Sequence, residues 1–198
     1  MVPIYKGGDQ SVVGNYRPVS LTSAVCNQME HVIGGYLREV WKMSVWLYEG
    51  QHGFRAGYSC KSQVVMGHQN IADSLDKGLR IDAIIIDFSK AFNLVPHDRL
   101  LTKIVATRVD LRVVVWAKEF LLGHLQRVRV DGQLSEEVRV TSGMLQGSVL
   151  GPVLFLAYVN DVWRNTESNI QLFTDACIIY RKIRVSSDID KLQTDLNR

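Results

Sequence analysis

The sequence predicts an α+β fold in one domain spanning residues 1–198. Three observations predict it. Apolar residues recur at three- and four-residue spacing in several segments, a short apolar run reads as a buried strand, and hairpin signals fall between the helical stretches. Helices interleave with hairpins instead of alternating in regular β-α-β units, which argues against a parallel α/β sheet.

The elements follow in order. Residues 1–20 hold Gly7-Gly8-Asp9, Gly14-Asn15 and Pro18, a loop-rich opening. From Leu21, the positions Val25, Met29, Val32, Ile33, Tyr36, Leu37 and Val40 mark one face of an amphipathic helix. Val64, Val65, His68, Ile71, Ala72 and Leu75 mark a second helix, ending near Gly78. Residues 81–87 read as a strand, and Ala83-Ile84-Ile85-Ile86 is apolar enough for burial on both faces. Residues 111–122 are helical by period and stop at Gly123. Strands at 127–130 and 137–140 flank Asp131-Gly132, a hairpin turn signal, although the return strand begins a few residues late. Val153, Leu154, Ala157, Tyr158 and Val162 form a helix behind Gly151-Pro152. Residues 170–174 and 177–180 read as two short strands around a tight turn. Ser187 with Asp190 makes a capping box for a last helix carrying Ile189, Leu192 and Leu196.

Composition narrows the function classes. Hydrophobic residues make up 46% and charged residues 22%, a globular mixture and not a disordered one. The net charge of +3 is compatible with nucleic acid but too small to argue for it alone. The apolar runs at 83–86 and 113–116 are far shorter than a membrane span. Met1-Val2-Pro3-Ile4-Tyr5-Lys6 lacks an apolar signal core, so the expectation is an intracellular protein, cytoplasmic or nuclear and not secreted. Cys26, Cys60 and Cys177 form neither a disulfide framework nor a zinc pattern, which fits a reducing compartment.

Two carboxylates stand out. Asp87 ends the apolar strand, and Asp175 lies between the two short strands near residue 175. Carboxylates on a rigid sheet suit hard divalent cations, and two such ions about 4 Å apart can activate a hydroxyl nucleophile and neutralise a leaving pyrophosphate. On spacing alone, aspartates at strand ends are more often solvated turn residues.

The surrounding words decide between these readings. Asn15-Tyr16-Arg17-Pro18-Val19-Ser20-Leu21 resembles the fingers word NYRPISL of non-LTR reverse transcriptases, and Gln51-His52-Gly53-Phe54-Arg55 resembles their QHGFR segment. Asp87-Phe88-Ser89-Lys90-Ala91-Phe92 resembles motif A, usually DFSKAFD. Gln146-Gly147-Ser148-Val149-Leu150-Gly151-Pro152 resembles motif B, with Tyr158-Val159-Asn160-Asp161 continuing it, and Phe173-Thr174-Asp175-Ala176 stands where motif C reads FADD. In family order along nearly the whole chain, these words resemble the reverse transcriptase of LINE-type (non-LTR, jockey-like) retrotransposons.

The resemblance implies right-hand polymerase fingers and palm: about 1–80 mainly fingers, about 81–198 mainly palm with interleaved fingers segments, an antiparallel palm sheet packed on helices, and the thumb absent. It implies an RNA-directed DNA polymerase using two Mg2+ ions, with an RNA template, a DNA primer and deoxynucleoside triphosphates as partners and no membrane. Asp87 and Asp175 take the catalytic positions, with the Phe88 carbonyl as a further metal ligand. Phe92 takes the position under the deoxyribose that rejects a ribose 2′-hydroxyl, although a core aromatic there is the plainer reading. Gln146 and Gly147 lie along the incoming nucleotide and template, while Lys6 and Arg17 are candidates for the triphosphate. His52 and His97 belong to family words and read as structural.

Departures from the pattern matter as much. Ala176 stands where motif C carries its second aspartate and offers no metal-binding atom. Thr174 replaces an alanine, Met144-Leu145 replaces Val-Pro before Gln146, and Asn93 replaces an aspartate. The expectation is an impaired degenerate copy. The alternatives are a non-catalytic fragment that holds RNA or an RNA–DNA hybrid, and a non-functional retroelement remnant.

Overall fold

In the computed structural model, which describes residues 1–197, helices and short strands interleave along the chain. Strands β1 (Val2–Tyr5) and β2 (Tyr16–Val19) come first, followed by helices α1 (Ala24–Met43) and α2 (Cys60–Leu75) and strand β3 (Arg80–Asp87). Helices α3 (His97–Ala106) and α4 (Leu111–Leu122) precede four two-residue strands, β4 (Leu125–Gln126), β5 (Arg129–Val130), β6 (Gln133–Leu134) and β7 (Val138–Arg139). Helix α5 (Leu150–Val159), strands β8 (Asn169–Phe173) and β9 (Ala176–Ile183), and helix α6 (Ser186–Leu196) complete it. Arg198, the end of the expected domain, lies outside the described residues. The chain divides into two units: Met1–Trp46 with Lys90–Tyr158, and Leu47–Ser89 with the chain from Val159 onward.

The second unit is built on a three-stranded antiparallel sheet in the order β3-β9-β8. Its register runs from Arg80 opposite Ile183 to Asp87 opposite Ala176. Ile170, Leu172, Cys177 and Ile179 point to one face and pack with Leu192 of α6, while Ile84, Ile86 and Tyr48 close around them. The expectation that β3 is buried on both faces is wrong: Ile85 is 76% exposed. Alternation sends Ile84 and Ile86 to the core and Ile85 outward, and β3 is an edge strand. Helix α2 starts from a capping box in which Ser59 and Ser62 each accept the other's backbone N–H. Its Asn70 donates to the Tyr180 hydroxyl at 2.9 Å. At α6 the predicted cap is displaced. The helix begins one residue before Ser187, and Asp188, not Asp190, reaches back to accept the N–H groups of Arg184 and Val185.

In the first unit the expected loop-rich opening holds a hairpin, with β1 and β2 paired from Val2 opposite Val19 to Tyr5 opposite Tyr16. Proline 18 is tolerated because the two-stranded ribbon has only edge strands. The buried stripe of α1 is Glu30, Gly34, Leu37 and Trp41, rotated from the apolar face read in the sequence, whose Val25 and Val32 are exposed. Gly34 explains the rotation: a Cβ there would already touch the Leu150 and Val153 side chains at 3.8 Å, so α5 approaches α1 closely along this line. Helix α4 runs from the Asp110 cap to Gly123 as the periodicity predicts. Helix α3 escaped detection because only Leu100 and Ile104 supply buried apolar positions besides His97, whose Nε2 lies 2.8 Å from the Gly143 carbonyl. Asp131 and Gly132 adopt φ of 49° and 82°, so the tight turn forms, but the return strand is Gln133–Leu134 immediately after it. The later residues Val138–Arg139 pair separately with Leu125–Gln126. Helix α5 is apolar all round and takes Gly151 and Pro152 into its first turn, where proline forfeits no hydrogen bond.

The start of α5 rests on a buried carboxylate. Glu30 is fully buried, and its Oε2 accepts the Leu150 N–H at 3.0 Å, satisfying one of the helix's orphan donors. Glu30→Met should cost about 1–3 kcal/mol, the penalty for a stranded buried donor, whereas Glu30→Gln, which keeps an acceptor, should cost less. Urea unfolding of both variants checks the order, and equal losses contradict the capping role.

Candidate active site

The candidate residues fall in both units. Asp87, Phe88, Asp175 and Ala176 belong to the second, and Lys6, Arg17, Phe92, Gln146 and Gly147 to the first.

In the second unit, β8 and β9 join through Thr174-Asp175, closed by the pair Phe173 and Ala176. Ala176 is therefore the first residue of β9 and sits directly opposite Asp87. The Phe88 N–H donates to the Asp175 carbonyl at 3.2 Å, so the end of β3 is tied to the turn. Residues opposite in an antiparallel pair have Cα atoms about 5 Å apart, which brings the exposed Asp87 beside the half-buried Asp175. Thr174 has φ +61°, a conformation that a β-branched residue adopts at about 1–3 kcal/mol.

The Gln51-His52-Gly53 word runs alongside this hairpin. Gln51 bridges Leu172 in parallel, with Leu172 N–H donating to the Gly50 carbonyl at 2.8 Å and His52 N–H donating to the Leu172 carbonyl at 2.9 Å. The buried Gln51 carboxamide oxygen accepts the Gly53 N–H at 2.8 Å and the Thr174 N–H at 3.0 Å. The sequence carried no signal for this partnership beyond the word itself, because the residues lie far apart in the chain. His52 pairs through Nδ1 with the Ser62 hydroxyl at 2.9 Å, and burial, with the Arg55 cation, pushes its imidazole below the ordinary value. The structural reading of His52 and of His97 matches these contacts.

In the first unit, Phe92 stacks on Phe155 with ring centroids 4.0 Å apart and planes 11° apart, and its carbonyl accepts the Met144 N–H at 2.7 Å. Gln146 is held twice. Its carbonyl accepts the Ser20 N–H at 2.7 Å, and its Nε2 donates to Asn93 Oδ1 at 2.9 Å. Gly147 has φ +94°, and a Cβ there would press on the Ser20 carbonyl at 3.1 Å, so only glycine fits without strain. Arg17 lies on β2 and Lys6 just after β1, both exposed, and the Lys6 N–H donates to the Asn15 carbonyl at 2.8 Å. A cavity of about 240 Å³ opens beside this motif, lined by Pro18, Ser20, Asn93, Ser142, Met144 and Gln146 among others. Sequence reading missed Ser20 and Asn93 as partners of Gln146. The substitution of Asn93 within the motif A word was visible, but its contact was not.

Chemically, Asp87, Asp175 and the Phe88 carbonyl offer hard oxygen donors of the kind a divalent ion takes. Ala176 offers none, and among the described residues no group of three or more His, Cys, Asp or Glu side chains comes together to hold a metal. The donors present suit a divalent ion in kind but include only two carboxylates. Among the described residues no helix is long and apolar enough to cross a membrane.

The sequence matches the family described as "Reverse transcriptase (RNA-dependent DNA polymerase)" over residues 4–197. It is 28% identical over 176 residues to a probable RNA-directed DNA polymerase from transposon X-element of Drosophila melanogaster, covering 84% of this chain and 19% of that protein. It is 32% identical over 148 residues to the corresponding protein of transposon BS from the same organism, covering 75% and 16%. It is 29% identical over 170 residues to the RNA-directed DNA polymerase of its mobile element jockey, covering 84% and 18%. The chain thus spans under a fifth of the length of these relatives. Among solved structures, apo telomerase from Candida Tropicalis superimposes with a TM-score of 0.60 at 11% identity, covering 86% of this chain and 33% of that one. A form truncated from its C-terminal domain gives 0.59 at 14%, covering 86% and 36%. At such identities the likeness speaks for the fold alone, and it is a mixed helix-and-sheet fold in both. A match across almost every residue, with transposon polymerases as relatives, places this chain in the reverse transcriptase family, on its LINE-type branch.

Proposed function

We propose that Asp87 and Asp175 are the metal-binding carboxylates of a nucleotidyl-transfer site, and that Ala176 leaves this copy impaired as an RNA-directed DNA polymerase. The observation that carries the reading is the register that sets Asp87 opposite Ala176 and beside Asp175. In this reading the β3-β9-β8 sheet is the palm and the β1–β2 hairpin belongs to the fingers. Asp87, Asp175 and the Phe88 carbonyl would hold Mg2+, which when bound would activate the primer hydroxyl and neutralise negative charge on the phosphate oxygens and the leaving pyrophosphate. Ala176 removes one carboxylate from that set. Two unit charges about 4 Å apart are worth about 4 kcal/mol at an effective dielectric of 20, and losing that much transition-state stabilisation costs on the order of a thousandfold in rate.

The first-unit residues supply the substrate side of the proposal. Arg17 and Lys6, exposed on the first hairpin, hold the triphosphate of a deoxynucleotide. Gln146 is oriented by Ser20 and Asn93, and Gly147, which packs against the Ser20 backbone, lies in this reading along the incoming nucleotide and template. Phe92, fixed against Phe155, occupies the place where a ring leaves no room for a 2′-hydroxyl. The RNA template and DNA primer are the implied partners.

With Mg2+ and a poly(rA)–oligo(dT) template, the native sequence should extend the primer little or not at all, and Ala176→Asp should raise extension at least about tenfold. Extension by the native sequence at the rate of the variant contradicts the impairment. In the Ala176→Asp background, Phe92→Val should raise ribonucleotide relative to deoxyribonucleotide incorporation. An unchanged ratio makes Phe92 a core aromatic only.

A further inference from the structure

We infer that Gln51 and Gly53 form a clamp holding the Thr174-Asp175 turn in the conformation that presents Asp175, which makes Gln51 a positioning residue of the site. The inference rests on the reading of Asp175 as a metal ligand and extends it to a word of the sequence that has no role in the chemistry so far described. Thr174 stands at φ +61°, which the two-residue turn closed by Phe173 and Ala176 itself requires but which a threonine does not adopt by preference, so a hold from outside the hairpin adds to the stability of that state. Within the hairpin, the pair Phe173 and Ala176 closes the turn and leaves the Thr174 N–H without a strand partner. The Gln51 carboxamide oxygen supplies one at 3.0 Å, from a side chain only 2% exposed.

The same oxygen takes the Gly53 N–H at 2.8 Å, so one acceptor joins the two segments. Reversing the amide would set its NH2 against two N–H donors, which fixes its orientation. Gln51 Nε2 has no hydrogen-bond partner, so the oxygen is the working end. Gly53 completes the clamp sterically, because a Cβ there would overlap both the Thr174 hydroxyl and its backbone nitrogen. The backbone of residues 50–52 is itself tied to Leu172 on both sides, so the clamp is anchored to the strand it holds. Moving the Thr174 N–H moves the next residue, Asp175, directly, whereas Asp87 on β3 is reached only through the Phe88 N–H bond to the Asp175 carbonyl and the pairing with Ala176.

The test uses the full chain carrying Ala176→Asp, alone and with Gln51→Met, which keeps length and removes the acceptor, or Gly53→Ala, which intrudes on the turn. Amide hydrogen exchange is followed at Thr174 and at the core strand positions Ile84 and Ile179, and Mn2+ line broadening at Asp87 and Asp175. Either clamp substitution should speed Thr174 exchange at least about tenfold beyond any change at the core positions, and raise the Mn2+ concentration for half-broadening about tenfold at Asp175. Exchange at Thr174 that moves only in step with Ile84 and Ile179 overturns the clamp. Broadening that occurs in the parent and is unaffected by the clamp substitutions overturns the positioning role alone. A parent that shows no Mn2+ broadening overturns the reading of Asp175 as a ligand, and the positioning role with it.

Discussion

The eight-residue antiparallel pairing of β3 with β9 is the constraint on which the candidate chemistry depends. Its register is not free to slip. A shift of β3 by one residue would turn Ile84 and Ile86 from the core to the open face, away from Cys177 and Ile179. Each buried aliphatic side chain is worth about 1.5–3 kcal/mol, so the hydrophobic face of the sheet fixes which residue stands opposite Asp87. The location of the carboxylates is thus decided by residues that never touch a metal. The same alternation leaves Ile85 and Asp87 on the accessible side, where a nucleic acid or an ion can reach them.

Motif B is held by a different device. The segment from Gln146 to Leu150 contains a glycine at positive φ and lacks a proline to stiffen it, so its shape is imposed from outside. Ser20, Asn93 and Glu30 do this from three separate segments: a backbone N–H, a side-chain amide and a buried carboxylate. Asn93 replaces an acidic residue of the family word, and its amide oxygen still accepts from Gln146. The change therefore preserves an acceptor, whereas Ala176 preserves nothing of what an aspartate does.

Much of this was legible in the sequence where local physics is strong. Helix α4 is bounded by Asp110 and Gly123 because capping chemistry and apolar period agree there. The tight turn at Asp175 lay between two short apolar runs and formed, but one residue earlier than read: Thr174 belongs to the turn and Ala176 opens β9. What the sequence hid is what tertiary contact decides. The buried stripe of α1 follows Gly34 and its approach to α5, not the larger side chains at Val25 and Val32. The β1–β2 ribbon was obscured by its glycines and Pro18, and α3 by its sparse apolar positions. Gln51 and Thr174 gave no sign of each other, since a hydrogen bond between distant segments leaves no periodic trace.

The position of Ala176 shows why an alanine sits comfortably there. It is a strand residue directly opposite Asp87, and like charges directly opposite across an antiparallel pair are destabilising. Aspartate is depleted in strands as well, so a second aspartate here works against both local preference and its neighbours. An alanine there avoids that repulsion and keeps the β3–β9 ladder unbroken. Substitution at residue 176 therefore meets little resistance from the fold, whereas a side chain added at Gly53 or Gly147 would press on neighbouring backbone and loss of the Glu30 carboxylate would strand the Leu150 N–H.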